Sequence, residues 1–183
     1  TVDDLNHQIA KLHPLISDYL IATEDLPLET IIGNTLKQCG QTIATAESCT
    51  GGRIASLFTA QAGASAYFML GAVTYSNESK CRVLGVNPST IEAHGAVSEQ
   101  VACEMAEGAR RTADTTYGIA TTGIAGPSGG SKAKPVGTVW IGISTPKRTF
   151  AVCRNCGTDR GQIIARASAY AVAMLHEEIL ASK

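Results

Sequence analysis

From Leu28 onward, short apolar runs alternate with amphipathic stretches, and turns rich in glycine or small polar residues follow several of the apolar runs. Few folds satisfy that order. Strands separated by amphipathic helices need cover on both faces of their sheet. The pattern therefore predicts an α/β protein, a three-layer α/β/α sandwich. The stretches 136–144 and 149–154 flank Pro146 closely enough to pair as a hairpin, so the sheet is expected to be mixed and largely parallel.

The spacing predicts a helix over 28–39, with Ile31, Ile32 and Leu36 on one face and Gly40 ending it. A buried strand follows at 42–46, and the Thr50-Gly51-Gly52 turn opens a helix to about residue 61. A strand spans 67–75 across Gly71, and short helices are expected over 77–85, with Asn77 as its cap, and 88–95. Ser98 reads as the N-cap of a helix that turns Val101, Met105 and Ala109 inward. After a strand at 117–122 and a glycine-rich loop, Asp159 caps a last helix with Ile163, Ala167, Ala171 and Met174 inward. Residues 1–27 differ. Leu5, Ile9, Leu12, Ile16 and Leu20 recur at helical spacing, Pro14 is expected to kink or split that helix, and Glu24-Asp25-Leu26-Pro27 reads as a linker. The chain thus divides into a helical arm at 1–27, either packed on a neighbour or solvated, and one domain at 28–183.

Composition excludes several functions. A net charge of -1 supplies no basic surface for a nucleic-acid backbone or an anionic membrane, and 5% aromatic residues supply no base-stacking platform. No apolar run is long enough to span a bilayer. Six cysteines without a secretion signal point to reduced thiols and a cytoplasmic location.

Four segments could carry chemistry. Ala46-Glu47-Ser48-Cys49-Thr50-Gly51-Gly52 lies where a buried strand turns into a helix. Peptide N–H groups at Thr50, Gly51 and Gly52 could hold a phosphate or an oxyanion beside Ser48; an ordinary helix cap made by Ser48 or Thr50 is the competing account. In Thr74-Tyr75-Ser76-Asn77-Glu78-Ser79-Lys80, Lys80 sits one turn into a helix and can reach back to the strand end. A desolvated lysine can act as a base for a serine, with Tyr75 relaying a proton or bonding the hydroxyl; a solvated lysine and a core tyrosine are the plain alternative. The loop Thr121-Thr122-Gly123-Ile124-Ala125-Gly126-Pro127-Ser128-Gly129-Gly130 could form an anion nest at Gly123, Ala125 and Gly126, or be a flexible surface connection. It lacks the endings of a P-loop or a dinucleotide fingerprint. Arg160 opens the last helix, where it could clamp a phosphate or form a salt bridge. Cys153-Arg154-Asn155-Cys156 lacks a second ligand pair, His94 sits in what reads as a helix-ending turn, and Cys49 is a rival nucleophile beside Ser48.

Taken together, the first of these segments with Val73-Thr74-Tyr75-Ser76-Asn77-Glu78-Ser79-Lys80, His94-Gly95-Ala96-Val97-Ser98, Gly123-Ile124-Ala125-Gly126-Pro127-Ser128-Gly129-Gly130 and Lys134-Pro135-Val136-Gly137-Thr138-Val139-Trp140 resemble the CinA carboxy-terminal domain family, in the family's order and from about Leu28 to Leu180. Active members of that family are nicotinamide-nucleotide amidohydrolases. The resemblance implies hydrolysis of nicotinamide mononucleotide to nicotinate mononucleotide and ammonia. In it Ser48 matches the nucleophile, Lys80 the general base, Tyr75 an assisting hydroxyl and Arg160 a substrate-side arginine. It also implies no metal or organic cofactor, a homo-oligomer, and an N-terminal CinA domain in a parent chain whose interdomain segment is similar to residues 1–27. The alternative is a non-catalytic, competence-associated regulatory or nucleotide-binding module.

Overall fold

The computed structural model describes residues 1–16 and 25–182. Leu20 and Glu24, expected in the arm and linker, lie outside them. Helix α1, Val2–Ile16, runs through Pro14, and none of its residues is buried. Its apolar stripe of Leu5, Ile9 and Leu12 is left half exposed.

Helix α2, Leu28–Cys39, ends as expected on Gly40, whose φ of 62° is open to glycine and whose N–H reaches the carbonyls of Leu36 and Lys37. Strand β1, Ile43–Glu47, is buried throughout. Helix α3, Arg53–Thr59, is shorter at both ends than the spacing predicts, and a 3-10 turn at Ala64–Ala66 leads into β2, Phe68–Val73. Helices α4, Asn77–Leu84, α5, Pro88–His94, and α6, Glu99–Thr112, follow. Ser76, not Asn77, caps α4: its hydroxyl accepts from the Ser79 N–H at 3.0 Å. Strands β3, Tyr117–Gly123, β4, Thr138–Ser144, and β5, Thr149–Asn155, precede α7, Arg160–Ala181, whose Asp159 cap accepts from the Gln162 N–H.

The five strands form one sheet in the order β2-β1-β3-β4-β5. β1 pairs in parallel with β2 and β3, whereas β3–β4 and β4–β5 are antiparallel. Helical crossovers join the first three strands, which parallel pairing requires; the four residues after Ser144 suffice for the hairpin. All strands except β4 point the same way.

Side-chain alternation sends β1 and β3 residues to opposite faces. Ile43, Ile119 and Ile141 join Ile32, Leu36, Ile54, Phe58, Ile163 and Leu175 from α2, α3 and α7. Ala44, Ala46 and Ala120 meet Val101, Met105 and Ala109 of α6 with Leu84 of α4. Each large aliphatic side chain so buried contributes about 1.5–3 kcal/mol. The α6 face is lined with small residues because the helix backbone lies against the sheet. A methyl group on Gly118 would stand 2.1 Å from the Ala106 carbonyl oxygen, and one on Gly142 2.3 Å from that of Ala102.

Candidate active site

The chain leaves β1 toward β2 on one side and leaves β3 toward β4 on the other. The carboxyl ends of these adjacent parallel strands therefore diverge, which opens a crevice of the kind α/β sheets use for ligands. A pocket of about 350 Å³ occupies it, large enough for a small molecule.

Ser48 is the first residue past β1. Its N–H donates to the Thr121 carbonyl at 2.9 Å, so its backbone is pinned to β3. Its side chain lines the pocket. Lys80 lies in the second turn of α4, and helical side chains lean toward the N-terminus. The amine thus returns to the end of β2, where Nζ stands 3.2 Å from Ser48 Oγ, 2.9 Å from the Thr74 carbonyl and 3.4 Å from the Tyr75 carbonyl. Lys80 is 1% exposed, and among the described residues no carboxylate forms an ion pair with it. Desolvation holds its pKa below the ordinary lysine value, against a smaller opposing effect of Cys49 and Cys81. Three oxygens thus surround Nζ, matching the three donors of an ammonium; in the neutral form that desolvation favours, two N–H bonds serve the carbonyls and the lone pair can accept from the serine hydroxyl.

Cys49 also lines the pocket. Its thiol is pushed up to about 12, chiefly by burial. It is therefore a protonated, unreactive neighbour at neutral pH, and Ser48 is left as the nucleophile candidate.

The glycine-rich loop closes the opposite wall through Gly123, Ile124, Ala125, Gly126, Ser128 and Gly129. The Ile124 N–H is taken by the Thr138 carbonyl. Arg160, at the start of α7, spans the rim. Nη1 donates to the Gly126 carbonyl at 2.6 Å and Nη2 to Tyr75 Oη at 3.3 Å. Among the described residues Arg160 makes no salt bridge. Tyr75 lines the pocket but is 62% exposed, and its hydroxyl meets Arg160, with no hydrogen bond to Ser48 or Lys80.

The structure thus gathers Ser48, Tyr75, Lys80, Gly123, Ala125, Gly126 and Arg160 around one pocket. It does not bring Thr50, Gly51 and Gly52 to the lining. The reason is Glu47, a residue to which sequence reasoning assigned no part. Its carboxylate accepts from the N–H groups of Gly52, Ile54 and Ala55 and from the Thr50 hydroxyl, so the donors at the start of α3 are already engaged. Asn77, Ala96, Val97 and Thr122 also face the pocket, although the sequence gives none of them a part in the site. The Thr122 hydroxyl anchors the 96–97 segment by donating to the Ala96 carbonyl at 2.7 Å. The motif at 94–98 was the available signal, but nothing in it names the strand it binds.

Of the other sequence candidates, His94 ends α5 and Gly95 follows it. Cys153 lies on β5 and Cys156 just beyond it, both as free thiols. Among the described residues no cluster of three His, Cys, Asp or Glu could hold a metal, and no helix is long and apolar enough to cross a membrane.

The family model of the CinA C-terminal domain matches residues 25–179. A protein of Escherichia coli strain K12 named nicotinamide-nucleotide amidohydrolase PncC is 46% identical over 159 residues, 86% of this chain and 96% of that protein. A putative competence-damage inducible protein of Caldanaerobacter subterraneus is 47% identical over 165 residues, 90% of this chain; the match spans only 40% of that longer relative. The crystal structure of a competence damage-inducible protein A from Klebsiella pneumoniae superposes with a TM-score of 0.80 at 37% identity, covering 84% of this chain and 95% of that one. On this evidence the chain belongs to the CinA C-terminal domain family.

Proposed function

We propose that this pocket hydrolyses the carboxamide of nicotinamide mononucleotide to nicotinate mononucleotide and ammonia. The observation that carries the reading is the buried Ser48–Lys80 pair, 3.2 Å apart with two carbonyls on the amine. The likeness, over 86% of this chain, to a relative named nicotinamide-nucleotide amidohydrolase supports the choice of substrate.

Neutral Lys80 takes the Ser48 proton as Oγ attacks the carboxamide carbon. The Ile124 N–H is engaged and the α3 donors serve Glu47; the N–H groups of Ala125 and Gly126, in the pocket wall, are the donors assigned to the oxyanion. The ammonium form of Lys80 returns its proton to the leaving nitrogen, and ammonia departs. Lys80 then deprotonates a water that attacks the acyl-serine, and its ammonium returns that proton to Ser48 Oγ as the acyl–oxygen bond breaks and nicotinate mononucleotide leaves. The pyridinium charge makes the amide carbon more electrophilic and disfavours a second cation on Lys80. Arg160 and Tyr75, paired at the rim, are assigned to the substrate side, with the guanidinium toward the phosphate.

Ammonia release from nicotinamide mononucleotide, measured with Ser48→Ala and Lys80→Ala beside the parent, tests the reading. Both variants should fold and lose at least about a thousandfold in rate. Full activity in Ser48→Ala sinks the mechanism. A parent that binds the nucleotide without turnover favours the binding-module account.

A further inference from the structure

We infer that Glu47 is a positioning residue that sets the Ser48 hydroxyl against the Lys80 amine. The inference rests on the hydrolytic reading above. Glu47 is 1% exposed, yet it has four donors: the Thr50 hydroxyl at 2.6 Å and the N–H groups of Gly52, Ile54 and Ala55 at 3.0, 3.0 and 2.7 Å. Three of these are N–H groups at the start of α3 that have no acceptor within the helix. Left unmet in this buried place, each would carry a desolvation cost, and a carboxylate is the acceptor a helix start favours.

The backbone of the same residue reaches the other half of the pair. The Glu47 carbonyl accepts from the Thr74 N–H at 2.8 Å, and the Thr74 carbonyl in turn accepts from Lys80 Nζ at 2.9 Å. On the other side, the Ser48 N–H is held by the Thr121 carbonyl. Thr50 has one hydroxyl proton and gives it to Glu47, so the Thr121 hydroxyl, 2.7 Å away, donates to Thr50. Residues 47–55 are therefore fastened to β3, to the end of β2 and to their own helix, and Ser48 has little freedom within that frame. Glu47 does not itself line the pocket. Its effect passes through Ser48, which distinguishes it from a group that binds substrate.

Glu47→Gln is the isosteric probe. The amide offers one oxygen and turns its NH2 toward peptide N–H donors, so at least one bond is replaced by a donor–donor contact. The expected result, per folded molecule, is a kcat lowered about thirtyfold or more with KM within about threefold, because a small misplacement of a reacting atom costs rate and not binding. Thr50→Val should move kcat in the same direction by about tenfold, and Thr50→Ser, which keeps the donor, should regain most of that loss. A purely structural role would lower the folded fraction and leave kcat per folded molecule unchanged. That result, or a rise in KM at constant kcat, overturns the inference. The crystal structure of Glu47→Gln, or of Thr50→Val if the first does not fold, decides the matter without turnover. A Ser48 Oγ to Lys80 Nζ separation beyond about 3.5 Å supports the assignment. Retention of the 3.2 Å separation overturns it. A parent protein that releases no ammonia would remove the proposed reaction while leaving this structural reading to stand or fall by itself.

Discussion

Ser48 Oγ and Lys80 Nζ are 32 residues apart in the chain and 3.2 Å apart in space. The contact exists because β1 and β2 are parallel neighbours that end together, Glu47 pairing with Val73, so the residues following each strand emerge side by side. Burial of the amine then decides its chemistry. In water a lysine is a cation; here desolvation disfavours the cation, and the free base would give its two N–H bonds to the carbonyls and its lone pair to the serine hydroxyl.

That burial fixes the sign of the pH dependence. The Lys80 pKa is held below its ordinary value by desolvation, so the neutral base is populated at lower pH than for a solvated lysine. kcat/KM should fall on the acid side of this lowered pKa and show no loss from Lys80 as pH rises above it. Stability is linked in the same direction. Between the lowered folded pKa and the unfolded value near 10.5, the unfolded chain binds more protons, so stability gains with rising pH. Urea unfolding of the parent and of Lys80→Met across that window should show the slope in the parent and its reduction in the variant. Equal slopes would contradict the buried-amine account.

The Cys49 thiol, pushed up to about 12, should resist alkylation. At pH 8 only about one thiol in ten thousand would be ionised. Iodoacetamide followed by peptide mass spectrometry should mark exposed Cys39 well before Cys49. Comparable rates would restore Cys49 as a nucleophile candidate.

Arg160→Lys should raise KM for nicotinamide mononucleotide about tenfold and change kcat little. A lysine ammonium cannot span both the Gly126 carbonyl and the Tyr75 hydroxyl as the guanidinium does. Steady-state ammonia release separates the two parameters. A collapse of kcat at constant KM would place Arg160 in the chemical step instead.

Gly142→Ala tests the packing of α6 on the sheet. The added methyl would lie 2.3 Å from the Ala102 carbonyl oxygen and 2.8 Å from its carbon, and neither backbone atom can rotate away. The expected cost is about 3 kcal/mol, seen as a fall of roughly 6–12 °C in Tm. Thermal unfolding within about 1 °C of the parent would show that helix and sheet separate more easily than this contact implies.

Much of this molecule was legible before any coordinates. The alternation of helices and strands, the caps at Ser98 and Asp159, the αL stop at Gly40 and the hairpin across Pro146 are local matters, decided by hydrophobic period and cap chemistry within a few residues. Ser48, Tyr75, Lys80 and Arg160 could be marked as candidates near strand ends and helix starts, but local pattern left a plain cap, a solvated lysine, a core tyrosine and a salt bridge open, and their roles came from the resemblance of the motifs to a family. Their mutual arrangement was another matter. The phenol of Tyr75 meets the Arg160 guanidinium, Ser76 takes the cap expected of Asn77, and α1 runs on through Pro14.

The sequence by itself determined which segments would be helix, which would be strand, and where chemistry-bearing residues would fall along them, because those are questions of neighbours in the chain. Only the tertiary structure decided which hydrogen-bonding groups would already be occupied. The Thr50–Gly52 turn looks like a bank of free donors when read alone, but the Thr50 hydroxyl and the Gly52 N–H are engaged once the Glu47 side chain folds back onto α3. The physical reason is that a buried donor must find a partner, and which partner reaches it depends on how strands and helices pack in three dimensions.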